Sequence, residues 1–164
     1  MTPPTRIALG NDEAAVALRA LLAEHLRARG YDVDLYGPAT AGEEVDYPDI
    51  AYEVASRVAA GAYGRALLLC GTGIGMAIAA NKVPGVRAAQ AADTYSAERA
   101  RKSNDAQVLT IGARTVGPEL ARAIVDAWLA SEFEGGRSVP KVVKLDELDR
   151  LARSASAETA GGRA

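Results

Sequence analysis

Ala66-Leu67-Leu68-Leu69-Cys70 runs directly into Gly71-Thr72-Gly73-Ile74-Gly75, and Met76-Ala77-Ile78-Ala79-Ala80 follows. The order is apolar strand, glycine-rich turn, helix. Working outward, the same alternation fills the chain. Arg6 to Leu9, Asp32 to Tyr36, Val86 to Ala89 and Gln107 to Ile111 read as further strands. Helical patterns span Asp12 to Arg29, Pro48 to Ala60, Ile74 to Asn81, Thr94 to Ser103, Pro118 to Ser131 and Val139 to Arg153. Strict β-α alternation implies right-handed crossovers and a parallel sheet. The expected fold is therefore α/β, doubly wound and Rossmann-like, with three αβα layers around a five-stranded parallel sheet of order 2-1-3-4-5. Gly30 after Arg29 suits a helix C-cap, and Pro118 after Gly117 suits a first helical turn.

In such a sheet, ligands bind at the carboxyl ends of the strands beside the switch point between strands one and three. That places the loop Gly10-Asn11-Asp12-Glu13 next to Cys70 to Gly75. Cys70 is the only cysteine. Backbone N–H groups of the following turn favour an anion beside the thiol, and hence its thiolate. The alternative reading is a small buried residue at a strand end. Together the two loops hold carboxylates, a thiol and a row of donors, which is the equipment for moving a proton next to a carbonyl. Thr72 is expected either to hydrogen-bond the oxygen on which charge develops or to relay its proton.

The rival readings of the turn fit less well. Gly71-x-Gly73-x-Gly75 lacks the dinucleotide-binding spacing and follows the third strand instead of the first, and no Gly-Lys-Ser/Thr ending marks a P-loop.

A chain of 164 residues suits one domain, expected over 1–153, with a small, polar and disordered tail over 154–164. Nineteen Lys+Arg against 21 Asp+Glu leave a net charge of −2, which argues against nucleic acid as a partner. One cysteine makes no internal disulfide, the start Met1-Thr2-Pro3-Pro4-Thr5 lacks a signal peptide's apolar core, and no run is apolar enough to span a bilayer. These features predict a cytoplasmic protein without a membrane partner.

Leu69-Cys70-Gly71-Thr72-Gly73-Ile74-Gly75-Met76, then Ala79-Ala80-Asn81-Lys82-Val83-Pro84-Gly85-Val86-Arg87-Ala88, resembles the sugar-phosphate isomerase family containing ribose-5-phosphate isomerase B and the galactose-6-phosphate isomerase subunits. The likeness continues through Asp93 to Ala97, Asn104-Asp105-Ala106 and Gly112 to Leu120. It implies that Cys70 shuttles a proton between carbons one and two of a small phosphorylated sugar. Thr72 and the amides of Gly71, Gly73, Ile74 and Gly75 would bind the enediolate, Asp12 would contact substrate oxygens, and Tyr47 would line the pocket. Asn104 would reach the site of a neighbouring subunit in a homodimer, with pairing of dimers into tetramers left open. Arg114 and Arg137 would bind phosphate, as forked donors suit. Lys141 stands where the family often has a second arginine. No cofactor or metal is implied.

The departures from the family pattern are informative. Glu13 replaces a histidine beside the first-loop aspartate, and Ser103 replaces a histidine credited with opening the furanose ring. The one histidine, His25, falls inside the first helix and reads as a surface or partly buried residue. A four-carbon aldose phosphorylated on oxygen four has no hydroxyl left to close a five-membered ring, so its enzyme needs no ring-opening acid. Asp93 to Asn104 and Leu129 to Ser138 also resemble the tetrulose-4-phosphate isomerase branch. The resemblance therefore implies an aldose-ketose isomerase acting on erythrulose 4-phosphate and erythrose 4-phosphate through a cis-enediolate. The alternatives are a type B ribose 5-phosphate isomerase, in which Glu13, Asp12 or water opens the ring, and a non-catalytic sugar-phosphate-binding subunit.

Overall fold

In the computed structural model of the protein, residues 6–161 are described, with side chains through Ala155. The strands are β1 Arg6–Asn11, β2 Asp32–Tyr36, β3 Ala66–Cys70, β4 Ala88–Gln90 and β5 Val108–Gly112. The helices are α1 Val16–Ala28, α2 Tyr47–Ala59, α3 Ile74–Ala80, α4 Thr94–Asn104, α5 Pro118–Leu129 and α6 Val139–Gly161, with 3-10 turns at Glu13–Ala15 and Gly136–Ser138. All strand pairs are parallel.

The sheet order is β2-β1-β3-β5-β4, so the last two strands are exchanged relative to the order expected from sequence. Burial explains the exchange. Every residue of β5 is buried, which suits a central position, whereas β4 is three residues of half-exposed Ala-Ala-Gln and suits an edge. With right-handed crossovers, β2→β3 and β3→β4 advance in one direction and put α2 and α3 on one face; β1→β2 and β4→β5 run the other way and put α1 and α4 on the opposite face. The cores agree. Leu67 and Leu69 pack with α1, α4 and α5 residues such as Leu22, Ala97 and Trp128. Leu68 and Cys70, one residue out of phase, pack with Val54 of α2 and Met76 of α3.

Gly73 opens α3 in the left-handed region at φ 78, which glycine enters at little steric cost. At the other end of the sheet, the buried guanidinium of Arg65 donates to the carbonyls of Trp128, Leu129 and Ser131 at 2.9, 3.0 and 2.8 Å, closing the open end of α5.

Helix α6 runs through Gly161, past Arg153 where the sequence pattern ends it. Ser154 Oγ bonds back to Arg150 O at 3.1 Å, and the small alanines beside it are good helix formers. Met1 to Thr5 and residues 162–164 lie outside the described residues. Among those described, no helix is long and apolar enough to cross a membrane.

Candidate active site

Three loops converge at the carboxyl end of the sheet. The loop after β1 carries Asp12, whose amide donates to Leu69 O at 3.1 Å and whose Oδ1 accepts from the Ala14 amide at 3.0 Å. The carboxyl group is thus pinned beside β3 while it caps the 3-10 turn. Burial pushes its pKa up, and the neighbouring Glu13 charge adds to that; the Ala14 and Ala15 amides and Arg114 pull it down. Beneath it, Asn11 is fully buried and its Nδ2 donates to Pro38 O at 3.1 Å, which ties the loop after β2 to this site.

The loop after β3 wraps the thiol. Cys70 is 5% exposed, and its Sγ accepts a hydrogen bond from the Gly73 amide at 3.1 Å. Thr72 Oγ1 accepts from the Ile74 amide at 3.3 Å, and its hydroxyl stands at an exposed position. Behind the turn, the buried Thr110 hydroxyl donates to Gly73 O at 2.7 Å, while Gln90 Nε2 reaches Thr72 O at 3.5 Å from the edge strand. Neither supporting residue is visible from sequence, because each meets the turn only through sheet pairing.

The third loop follows β5 and lies here because β5 neighbours β3. Ala113 and Arg114 amides donate to Cys70 O and Gly71 O at 2.8 and 2.9 Å. The Arg114 side chain passes alongside Gly71, with Nη1 3.5 Å from where a Cβ would stand. From the start of α2, the Tyr47 ring covers Gly75 so closely that a Cβ there would be 2.6 Å from the ring carbons.

Asp12, Glu13, Tyr47, Cys70, Thr72, the glycine turn and Arg114 are therefore gathered at one end. The remaining predicted residues are not. Asn104 and Ser103 end α4, which runs against the strands, and they precede β5 at its amino end. The Glu134 amide binds Lys102 O at 3.0 Å, so the segment leading to Arg137 and Lys141 is also fastened at that end. The length of β5 alone separates the groups by about 13 Å. Ser103 Oγ and Asn104 Nδ2 both donate to Arg99 O, at 2.8 and 3.2 Å. His25 lies elsewhere, between α1 and α5, with Nε2 2.8 Å from Asp126 Oδ1. Among the described residues, no group of three or more His, Cys, Asp or Glu is placed to hold a metal ion.

A buried thiol held by the Gly73 amide, a shielded carboxyl group and the Arg114 side chain stand together at the switch point of a doubly wound sheet, an arrangement equipped to move a proton. The family model described as Ribose/Galactose Isomerase matches residues 7–145. The chain is 55% identical over 139 residues to "D-erythrulose-4-phosphate isomerase" of Pectobacterium atrosepticum, covering 85% of this chain and 91% of that protein. It is 49% identical over 148 residues to "Ribose-5-P isomerase B" of Listeria innocua, covering 90% and 99%. Ribose-5-phosphate isomerase B of Clostridium thermocellum superposes with a TM-score of 0.87 at 44% identity, over 90% of this chain and 99% of that one. The chain belongs to the ribose/galactose isomerase family and is a sugar-phosphate isomerase.

Proposed function

We propose that the protein interconverts erythrulose 4-phosphate and erythrose 4-phosphate. The Cys70 thiolate removes the proton from carbon two of the aldose, the electron pair forms the carbon one–carbon two double bond of a cis-enediolate, and the same thiol returns the proton to carbon one. Amides of the Gly71 to Gly75 turn and the Thr72 hydroxyl hold the enediolate oxygens, and Asp12 carries the hydroxyl proton between them. Arg114, beside both Gly71 and Asp12, balances the negative charge.

Ser103 carries the choice of substrate. Where the family's ribose enzymes place a ring-opening histidine, this chain has a hydroxyl turned back onto Arg99 O. The likeness to the Pectobacterium protein supports the same reading. A type B ribose 5-phosphate isomerase is the second reading, favoured by the Listeria and Clostridium relatives. Measuring kcat/KM across four-, five- and six-carbon sugar phosphates decides between them. A preference for ribose 5-phosphate sinks the tetrose assignment and leaves the proton transfer intact.

The working unit is a homodimer with shared sites. Asn104, Arg137 and Lys141 lie a strand's length from Cys70, so they serve the site of a second copy, brought there by twofold pairing. Exposed apolar side chains flank the thiol loop at Ile74 (55%) and Ile78 (58%), and α6 leaves Leu148 and Leu151 in solvent at 55% and 66%. Mixing Cys70→Ser with Asn104→Ala subunits tests the sharing: recovery of about a quarter of wild-type activity is expected for random twofold pairing. No recovery after confirmed subunit exchange overturns it.

A further inference from the structure

Arg87 immediately precedes β4, at the amino end of the sheet away from the Cys70 turn, and its side chain engages Asn104, Asp105 and Asp146 there. Its Nε donates to both Asn104 O and Asp105 O at 3.1 Å, and Nη2 reaches Asp105 Oδ2 at 3.1 Å. Nη1 reaches Asp146 Oδ1 on α6 at 3.0 Å, and the Arg87 amide donates to Gln107 Oε1 at 2.8 Å. The side chain is only 17% exposed.

What it grips is a strained corner. Asp105 is the one non-glycine residue with positive φ among those described, at 48°. A residue in that region persists where its surroundings over-determine it. Arg87 supplies part of that constraint, and Arg101, 2.6 Å from Asp105 Oδ1, supplies more. The exposed Asn104 side chain has one hydrogen bond, to Arg99 O, so its direction depends on the backbone that Arg87 holds.

We propose that Arg87 is the positioning residue of the amino-end half-site. One planar fork sets where Asn104 is presented and where α6, which carries Lys141 and follows Arg137, lies relative to it. The inference rests on the shared-site reading above.

The test uses Arg87→Gln and Arg87→Lys in the full-length protein. A misplaced contact group costs up to about a hundredfold in kcat/KM. Arg87→Gln is expected to raise KM as well as lower kcat, because the groups it displaces meet substrate. Arg87→Lys keeps the charge but not the fork, and is expected to recover little. A purely structural role would reduce the active fraction and leave KM unchanged, and that result overturns the proposal, as does wild-type KM and kcat in both variants. Mixed dimers supply the second readout. Arg87→Gln with Cys70→Ser is expected to recover activity to the same extent as Asn104→Ala with Cys70→Ser, because both put the damage in the same half. Recovery by the Asn104 pair alone sinks the Arg87 proposal and spares the shared site; recovery by neither pair, with exchange confirmed, sinks both. Should Arg87→Gln fail to fold, Asp146→Ala, which removes the acceptor of the Arg87 Nη1 bond on α6, must still raise KM.

Discussion

The Gly73 amide donates to Cys70 Sγ at 3.1 Å, so the turn that carries the thiol also supplies a donor to it. The bond fixes where the sulfur stands, so one turn both carries and orients the group proposed to move the proton.

Cys70→Ser is expected to leave the fold intact, because the swap is nearly isosteric within a buried strand end. Turnover should fall by about 10²–10⁴-fold, the range for losing a general base. Substrate binding should survive, as read by calorimetry or thermal shift with sugar phosphate. Near-normal turnover would move the base elsewhere, with Glu13 examined next.

Gly73→Ala and Gly75→Ala should separate fold from function. A Cβ at Gly73 would sit 3.0–3.2 Å from the backbone of Ile111 and Gly112, at φ 78, and neither backbone gives way. The strain should lower stability by about 1–3 kcal/mol in denaturant unfolding. At Gly75 the obstacle is the Tyr47 ring, which turns aside, so the expected effect is a raised KM at nearly unchanged stability. Equal losses of stability in the two variants would contradict this distinction.

Asp12→Asn should gain stability and lose activity. Burial raises the folded carboxyl's pKa, so the folded state binds a proton more tightly than the unfolded chain, and ionisation of Asp12 opposes folding. That penalty is complete above the folded pKa and disappears as pH falls below the ordinary carboxylate range. Asparagine keeps the cap to the Ala14 amide. A higher Tm for the variant at neutral pH, shrinking on acidification, is the expected pattern; a lower Tm at neutral pH refutes it.

Ser103→His should raise kcat/KM for ribose 5-phosphate by about a hundredfold, the lower reach of acid catalysis, while leaving erythrose 4-phosphate little changed. Both constants are read in one coupled assay. A rise for both sugars, or for neither, removes ring opening as the bottleneck.

Much of this architecture is legible in local sequence. Leu67-Leu68-Leu69 reads as a buried strand, and Gly71 to Gly75 marks the turn because glycine enters the φ at Gly73 at little steric cost and leaves room for the ring over Gly75. Asp12 at the end of β1 and Cys70 at the end of β3 meet once the strands are parallel, which alternation alone implies. Strand order is another matter. Ala88-Ala89-Gln90 and Val108 to Gly112 both read as strands, and nothing periodic says which one neighbours β3; burial decides, since only β5 fills both faces. From that one exchange follow Arg114 beside Gly71 and Thr110 behind Gly73. The division of the predicted site residues between two ends of the sheet is likewise tertiary: a helix that returns antiparallel to its strands carries Asn104 away from Cys70, and sequence spacing holds no record of that direction until the fold closes.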